Sequence, residues 1–238
     1  MLEINKIYNL DCMEAVKLLD DKSVDLVVMD PPYKLNLNKV KNTTSLNNYA
    51  NELLNLKDGF DLKVLDLLIP KMKKINMYIY CSKRQVRELL DYFKDKDCNY
   101  EILTWHKLNP SPLTNNVYLP DTEYVLFFRE KGVRLYGSYK TKRKFYISGV
   151  NQKDKKKYKH PTIKPLEFIE NHIINSSNEG DLVLDCFAGS GTTLVGAIET
   201  NRNFIGFEIN KEYFEIAEKR IEDALIQKAG DVIEESRK

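Results

Sequence analysis

The sequence predicts an α/β protein built on a mostly parallel, twisted sheet with helices on both of its faces. The first observation is a series of short, continuous apolar runs, which are typical of strands buried on both faces. The second is that amphipathic helical patterns lie between most of these runs, the order expected when crossover helices join parallel strands. A length of 238 residues is enough to bury a substantial core, and we expect residues 1–238 to form a single domain.

Seven apolar runs are expected to form strands. In chain order they span residues 7–10, 24–29, 75–80, 100–105, 124–128, 182–185 and 203–207. Helical patterns fall at residues 12–20, 61–74, 83–95, 163–175, 192–201 and 211–228. Two segments fit neither pattern, the Asn-rich stretch at 34–56 and the basic stretch at 129–159. Because long irregular segments of a compact domain are commonly lids or binding loops, we expect 34–56 to form a lid loop, with a plain surface loop as the alternative.

Composition excludes several classes of protein. Apolar residues make up 42% and charged residues 30% of the chain, values that fit neither a disordered chain nor a collagen-like fibre. No apolar run approaches the length of a membrane span, and the N-terminal residues lack the pattern of a signal peptide. The four cysteines form no Cys-x-x-Cys pair, so neither a zinc site nor a disulfide framework is indicated. We therefore expect a soluble, cytoplasmic protein without a bound metal.

Charge is distributed unevenly along the chain. Residues 129–160 contain 12 Lys or Arg and 2 acidic residues, a net charge of +10, whereas the whole chain carries +2. Aromatic residues lie between these basic residues, a combination that suits phosphate contacts together with base stacking. The candidate nucleic-acid contacts are Lys140, Lys142, Arg143, Lys144, Lys155, Lys156 and Lys157. A solvated loop without such a role is the alternative.

The first chemical motif, Asp30-Pro31-Pro32-Tyr33, follows directly on the apolar run at 24–29. Its two prolines hold the chain in an extended turn and contribute no N–H donors. The Asp30 carboxylate and the neighbouring backbone carbonyls are therefore acceptors without competing donors, which suits the binding of an amino group. Tyr33 adds a flat ring beside them. A rigid loop with a capping aspartate is the plainer interpretation.

The second motif follows the run at 182–185, where residues 185–192 read Asp-Cys-Phe-Ala-Gly-Ser-Gly-Thr. A strand that enters a turn of small residues and then a helix is where open parallel sheets bind ligands. Leu194 replaces the third glycine of the dinucleotide fingerprint, and no Gly-Lys-Ser or Gly-Lys-Thr triplet marks a P-loop. Glu208 ends the next strand, where an acid can accept hydrogen bonds from ribose hydroxyls. A tight strand-to-helix turn is the alternative.

Together the two motifs resemble those of the amino-group-specific DNA methyltransferases, which use S-adenosylmethionine. Asp30-Pro31-Pro32-Tyr33 matches the catalytic motif of that family, and residues 187–192 match its cofactor motif. The catalytic motif comes first along the chain, which is the order of the β-type, circularly permuted members. Three further segments are similar to family segments: Asn9-Leu10-Asp11, the Trp-x-Lys-x-Asn-Pro segment at 105–110 and His-Pro-Thr-Ile-Lys-Pro at 160–165.

The resemblance implies a circularly permuted, Rossmann-like methyltransferase fold and methyl transfer from S-adenosylmethionine to the N6 amino group of a flipped-out adenine in DNA. It implies that Asp30, Pro31, Pro32 and Tyr33 are catalytic. The implied cofactor-binding residues are Asp11, Thr162, Lys164, Asp185, Phe187, Ala188, Gly189, Gly191, Thr192 and Glu208. Thr162 and Lys164 would lie near the methionine carboxylate, Glu208 at the ribose and Asp11 at the adenine amine. The basic segment occupies the place where β-type enzymes read DNA.

Several alternatives stay open at this point. An aspartate at the first motif position is typical of adenine-N6 enzymes, but cytosine-N4 enzymes belong to the same family. A non-catalytic, methyltransferase-like DNA-binding adapter and a nicotinamide-dependent oxidoreductase are candidates from other classes. Double-stranded DNA is the expected partner, with single-stranded DNA or RNA as alternatives, and the short recognition segment leaves a homodimer open. Asp11 could instead cap a helix, Lys164 could start one, and Trp105 and Asn109 could be core and turn residues.

Overall fold

One eight-stranded sheet organises the chain. The computed structural model describes residues 2–34, 59–110, 118–150 and 163–236. Within these ranges the strands are β1 (Lys6–Tyr8), β2 (Leu26–Met29), β3 (Asn76–Cys81), β4 (Cys98–Lys107), β5 (Thr122–Glu130), β6 (Phe145–Ser148), β7 (Leu182–Asp185) and β8 (Asn203–Phe207). The helices are α1 (Cys12–Ala15), α2 (Lys63–Leu68), α3 (Lys83–Phe93), α4 (Leu166–Ser176), α5 (Thr192–Glu199) and α6 (Lys211–Ser236).

The strand order is β1-β8-β7-β2-β3-β5-β4-β6. Every neighbouring pair is parallel except the two that involve β5, which runs antiparallel to β3 and to β4. The sequence shows no helical pattern between β4 and β5, and neighbouring strands that are joined without a crossover helix run antiparallel. The predicted α/β class with a mostly parallel sheet is confirmed, and all seven predicted strands are present.

β6 is a strand that the sequence did not predict. Residues 129–159 were expected to contain no regular element, yet Phe145–Ser148 pairs in parallel with the end of β4. The indole N–H of Trp105 donates a hydrogen bond of 2.9 Å to Ser148 Oγ and ties the new strand to β4. Phe145 and Ile147 are about half exposed. The strand is only four residues long and is not buried, so the sequence gives little sign of it within the lysine-rich segment.

Helices cover both faces of the sheet, as predicted. One apolar core joins α4, α5 and α6 to one face and includes Val28, while a second core joins α1, α2 and α3 to the other face and includes Met29. Consecutive side chains of a strand point to opposite faces, so the two cores meet on β2. All four residues of β2 are buried, which explains why the sequence shows a continuous apolar run there.

Proline limits the extent of two predicted helices. The pattern at 61–74 forms only α2 and a 3₁₀ turn at Ile69–Lys71, because the ring of Pro70 is incompatible with a continuing α-helix. The pattern at 163–175 becomes helical only at Leu166, since Pro165 is the N-cap residue with extended backbone (φ −61°, ψ 124°). Lys164 therefore precedes the helix and does not belong to its first turn.

The strand order reverses between β2 and β7, and this reversal positions the functional site. On one side of β2, the chain continues into β3. On its other side β2 pairs with β7, and from β7 the chain continues outward to β8. Ligands of open α/β sheets bind outside the carboxyl ends of the strands at such a point. Both chemical motifs begin here, one after Met29 and the other at Asp185.

The described ranges lack two features that would point to other functions. None of their helices combines the length and the apolar character that a membrane span requires. None of their His, Cys, Asp and Glu side chains assemble into a group of three or more that could ligate a metal ion.

Candidate active site

A cavity of about 820 Å³ opens at the carboxyl ends of the central strands. Residues of both motifs line it together with Asp11, Lys164 and Glu208. The predicted site residues on its wall are Asp11, Asp30, Pro31, Pro32, Tyr33, Lys164, Asp185, Phe187, Ala188, Gly189, Thr192 and Glu208. The structure thus brings together side chains that lie almost two hundred positions apart in the chain.

Of the predicted cofactor residues that the structure describes, only Gly191 is not on the wall. Gly191 has a left-handed backbone (φ 77°), and a Cβ atom there would lie 3.0 Å from the Cβ atom of Ala217 in α6. Its lack of a side chain therefore allows α5 and α6 to pack closely, whereas Gly189 is the glycine of the motif that lines the cavity. Thr162 lies outside the described residues.

The turn after β2 is fixed from the side of α3. Gln85, a buried residue of α3, donates from Nε2 to the carbonyl oxygen of Pro32 at 3.1 Å and accepts from the backbone N–H of Lys34 at 3.2 Å. The Pro32 carbonyl is therefore already engaged within the protein. The other acceptors of this motif are the Asp30 carboxylate and the Pro31 carbonyl.

Lys164 lies against the catalytic motif. Its ammonium nitrogen is 2.7 Å from Asp30 Oδ2 and 3.0 Å from Glu123 Oε2, and it donates to the hydroxyl of Tyr33 at 3.2 Å. The family resemblance implied that Lys164 would lie near the methionine carboxylate of a cofactor. The structure keeps it on the cavity wall but pairs its charge with Asp30 and Glu123.

Glu123 and Lys107 complete a chain of charges that the sequence did not reveal. Glu123, near the start of β5, also pairs with Lys107 at the end of β4, with 2.5 Å between Lys107 Nζ and Glu123 Oε1. The only signal in the sequence was Lys107 within the Trp-x-Lys-x-Asn-Pro segment. Glu123 stands before an apolar run, where nothing marks it as more than a strand residue.

The pKa values of this cluster follow from burial and pairing. Burial acts to raise the pKa of Glu123, but the ammonium groups of Lys164 and Lys107 outweigh it and lower that pKa to about 2. Burial raises the pKa of Asp30, and Lys164 opposes the shift. Burial acts to lower the pKa of Lys164, yet Asp30 and Glu123 together raise it above its usual range. Lys164 and Glu123 are therefore both charged at neutral pH.

The opposite side of the cavity is held by backbone N–H groups that donate to carboxylates. The N–H of Gly189 donates to Glu208 Oε2 at 2.7 Å, and the N–H of Phe187 donates to Asp185 Oδ1 at 3.0 Å. Asp185 is buried, and burial raises its pKa to about 7. The N–H of Asn210 also donates to Glu208 Oε1 at 2.8 Å, so both carboxylates are fixed in position on the cavity wall.

Asp11 caps a helix, the structural role that was the alternative to a cofactor contact. It is the N-cap of α1 and accepts a hydrogen bond of 2.7 Å from the backbone N–H of Met13. It lines the cavity at the same time, so capping and ligand contact are compatible. Asn9, two residues earlier, donates to the backbone carbonyl of Glu208 at 2.8 Å and joins the ends of β1 and β8.

Comparison with known proteins decides the family. Residues 24–219 match the sequence profile of a DNA methylase family that covers N6 and N4 methyltransferases. This chain belongs to the N6/N4 DNA methylase family. It is 31% identical to the type II methyltransferase M1.MboII of Moraxella bovis, over 90% of this chain and 95% of that protein. It is also 31% identical to the type II methyltransferase M.HpaI of Haemophilus parainfluenzae, over 89% of this chain and 72% of that protein.

Solved structures of methylases share the fold. The M1.HpyAVI–SAM complex superposes with a TM-score of 0.69 at 29% identity and covers 91% of this chain and 98% of its own. The PvuII DNA methyltransferase, described as cytosine-N4-specific, superposes with a TM-score of 0.68 over 92% of this chain and 90% of its own. Its identity of 18% shows the fold alone. The predicted Rossmann-like methyltransferase fold is confirmed.

The structure describes the basic segment of this methylase up to residue 150. Some of its Lys and Arg side chains pair with carboxylates, and others have no such pairing among the described contacts. Lys140 lies 3.5 Å from Glu167, and Lys144 pairs with Glu101. Lys142 and Arg143 are exposed, and Arg143 lies near the ring of Tyr139. The remaining predicted contacts, Lys155, Lys156 and Lys157, lie outside the described residues, as do residues 35–56 of the expected lid.

Aromatic residues of the same region divide into packed and exposed ones. Tyr146 stacks on Phe168 at 5.1 Å, and its hydroxyl donates to Glu167 at 2.7 Å. Tyr139 is 88% exposed and is the aromatic side chain of the described segment that is most open to a base. Trp105 is a core residue, and Asn109 accepts from the backbone N–H of Val150 at 2.7 Å, so both have structural roles.

Proposed function

We propose that this methylase transfers a methyl group from S-adenosylmethionine to the N6 amino group of a flipped-out adenine within a specific DNA sequence. The observation that carries the proposal is that the Asp30-Pro31-Pro32-Tyr33 turn and the glycine-containing turn after β7 line one cavity. A nucleophile bound at the first turn and a methyl donor bound at the second would meet inside it. The type II relatives suggest a role in restriction and modification.

The charges on the cavity wall suit this cofactor. Six carboxyl groups and one ammonium group line the cavity. The carboxyl groups belong to Asp11, Asp30, Asp61, Glu123, Asp185 and Glu208, and the ammonium group to Lys164. S-adenosylmethionine carries a sulfonium and an α-ammonium group, so an acidic pocket attracts it. Its size also fits, since small-molecule and cofactor sites span roughly 300–1,000 Å³.

The family resemblance suggests which residues of the wall would lie near each part of the cofactor. Asp185 and the turn of Phe187, Ala188 and Gly189 would hold the methionine portion, with Thr192 beside it. Glu208 would accept from the ribose hydroxyls, and Asp11 from the adenine amino group. When bound, S-adenosylmethionine supplies an electrophilic methyl group, and the remaining contributions come from this chain.

The catalytic turn would act on the target amine through its acceptors. The lone pair of an aromatic amine is delocalised into its ring, which makes the nitrogen a poor nucleophile. If Asp30 and the Pro31 carbonyl accept its two N–H groups, they stabilise the positive charge that the nitrogen acquires in the transition state. As the nitrogen gains the methyl group, the bond between that methyl group and the sulfonium sulfur would break and the sulfur would keep the electron pair. The nitrogen would then release one proton, for which the Asp30 carboxylate would be the base.

Tyr33 and the basic segment would hold the DNA. The ring of Tyr33 lies on the cavity wall beside Asp30, where it can stack on a base that has left the duplex. Lys142 and Arg143 would contact phosphates, which position the DNA without specifying its sequence. Double-stranded DNA is the expected substrate. Since the recognition segment is short, a second copy of the chain would extend the recognised sequence.

Cytosine N4 is the second candidate target, because the PvuII methyltransferase, described as cytosine-N4-specific, shares this fold. The aspartate at the first motif position favours adenine. The test is to incubate the protein with DNA and S-adenosylmethionine and to analyse the digested nucleosides by mass spectrometry. We expect N6-methyldeoxyadenosine. N4-methyldeoxycytidine alone would replace the adenine assignment, and the absence of any methylated nucleoside would contradict the proposed function.

A further inference from the structure

We propose that Glu123 is a positioning residue for methyl transfer: with Lys107 behind it, Glu123 holds the Lys164 ammonium group against Asp30. This inference rests on the proposed function, because it assigns Asp30 the role of acceptor for the target amine. The residues come from separate parts of the chain: Lys107 ends β4, Glu123 lies near the start of β5 and Lys164 precedes α4.

The geometry forms a continuous row of opposite charges. Lys107 Nζ is 2.5 Å from Glu123 Oε1, Glu123 Oε2 is 3.0 Å from Lys164 Nζ, and Lys164 Nζ is 2.7 Å from Asp30 Oδ2. The side chains of these four residues are 19%, 16%, 7% and 28% exposed in that order. At such burial each charge depends on its neighbours, because water compensates little for a lost partner.

Glu123 also holds the second functional side chain of the motif. The hydroxyl of Tyr33 donates to Glu123 Oε2 at 3.3 Å and accepts from Lys164 Nζ at 3.2 Å. Glu123 therefore fixes the aromatic ring directly and the Asp30 carboxylate through Lys164. Because Lys164 binds Oδ2 of Asp30, it orients the carboxylate that would accept from the target amine.

The balance of charge gives Glu123 a second effect on the reaction. The row contains two cations and two anions, so it is neutral as a whole. Lys164 alone would oppose the positive charge that develops on the target nitrogen, and Glu123 offsets that ammonium group. Loss of the negative charge at Glu123 would leave an excess positive charge beside the reacting nitrogen.

The test compares Glu123→Gln with the wild-type protein at saturating S-adenosylmethionine. We expect kcat to fall about 10- to 100-fold, the range that misplaced catalytic groups produce, while the Kd for S-adenosylmethionine changes less than about threefold. Glu215→Gln is the matched control, because Glu215 pairs with Lys211 on the exposed surface of α6. The control should behave as wild type in both measurements.

The pH profile of kcat separates positioning from a merely structural role. The charge of Glu123 raises the pKa of Asp30. In Glu123→Gln that pKa falls, so the acidic limb of the profile moves to lower pH. The other titratable groups near Asp30 are Lys164, Tyr33, Tyr80, Cys81 and Asp185. Of these, Asp185 has a pKa of about 7. Because kcat is measured at saturating cofactor at each pH, the effect of Asp185 on cofactor binding does not alter the profile.

Glu123→Asp keeps the negative charge but shortens the side chain, so it tests the contact between residue 123 and Lys164. It also replaces Glu123→Gln as the test variant if that protein folds poorly. We expect kcat to fall about fivefold or more while the acidic limb stays in place, because the shorter side chain draws back from Lys164. An unchanged kcat in a folded variant at position 123 would overturn the inference. A wild-type protein that methylates no DNA would instead overturn the proposed function, so the two failures are distinguishable.

Discussion

Gln85 Nε2 donates a hydrogen bond of 3.1 Å to the carbonyl oxygen of Pro32, so a residue of α3 anchors the catalytic turn. The same side chain accepts from Ser82 and from the backbone N–H of Lys34. It is 3% exposed, so both ends of its amide are satisfied inside the protein. The prolines of the motif make the turn stiff, and Gln85 fixes its position relative to the sheet.

Replacing Gln85 tests this anchor. In Gln85→Met the volume is nearly kept, but the Pro32 carbonyl and the Lys34 N–H lose their partner. We expect the free energy of unfolding to fall by about 1–3 kcal/mol and kcat to decrease, with cofactor affinity nearly unchanged. Denaturant titration and steady-state kinetics measure both effects. Gln227→Met, at an exposed position of α6, is the control and should change neither quantity.

The second prediction concerns Asp185 and the pH dependence of cofactor binding. Burial raises the pKa of Asp185 to about 7, so the carboxyl group is largely neutral below that pH and charged above it. A cationic cofactor binds better to the charged form. The affinity for S-adenosylmethionine should therefore rise between pH 6 and 8, flanking the pKa of about 7, in calorimetric titrations. Asp185→Asn should flatten the profile, and a variant that retains the wild-type profile would contradict this assignment.

The same pKa predicts an effect on stability in the absence of cofactor. The folded value of about 7 lies above the ordinary value of 3.8, so the folded state binds the proton more tightly. The stability contributed by Asp185 is therefore present at acidic pH and lost as the pH rises from about 3.8 to about 7. At pH 8 we expect Asp185→Asn to unfold at a higher denaturant concentration than wild type.

Gly191 supplies a prediction about packing. Gly191→Ala would place a Cβ atom 3.0 Å from that of Ala217 on a backbone with φ of 77°, so we expect a loss of about 1–3 kcal/mol. Gly230→Ala is the matched control, because no atom lies within 4 Å of the position where its Cβ would stand in α6. That exchange should stabilise the helix by up to about 1 kcal/mol. Equal effects of the two substitutions on thermal unfolding would contradict the packing role.

The basic segment gives a prediction about DNA. Lys142 and Arg143 are exposed, whereas Lys140 and Lys144 have carboxylate partners. We expect Lys142→Ala/Arg143→Ala to reduce DNA affinity more than Lys140→Ala/Lys144→Ala does. Each lost phosphate contact should flatten the plot of log affinity against log salt concentration by about 0.9. Fluorescence anisotropy with a duplex at several salt concentrations measures the slope, and equal slopes for the two double variants would count against the distinction.

The sequence was sufficient to predict the sheet and the two motifs, since both depend on local patterns. Continuous apolar runs mark the buried strands, and each motif follows its strand within a few residues. The reversal of strand order then brings Asp30 and Asp185 to one cavity. These features could be predicted because each strand and its motif are contiguous in the chain.

The charged cluster could not be predicted, because its partners are distant in sequence. Glu123 acquires its role only when β5 pairs with β4 and the segment before α4 brings Lys164 to the same place. Gln85 likewise looks like an ordinary residue of a helix that begins with a capping serine. β6 depends on pairing with β4 and lies in a lysine-rich stretch, where local composition favours a loop.

The central claim is that the Asp30-Pro31-Pro32-Tyr33 turn activates the amino group of a DNA base beside a cofactor bound in the same cavity. Transfer of a labelled methyl group to DNA by wild type and by Asp30→Ala tests it most directly, with calorimetric titration of S-adenosylmethionine on both proteins. We predict that Asp30→Ala binds the cofactor with near wild-type affinity and transfers no label. Retained transfer by a folded Asp30→Ala protein would contradict the account.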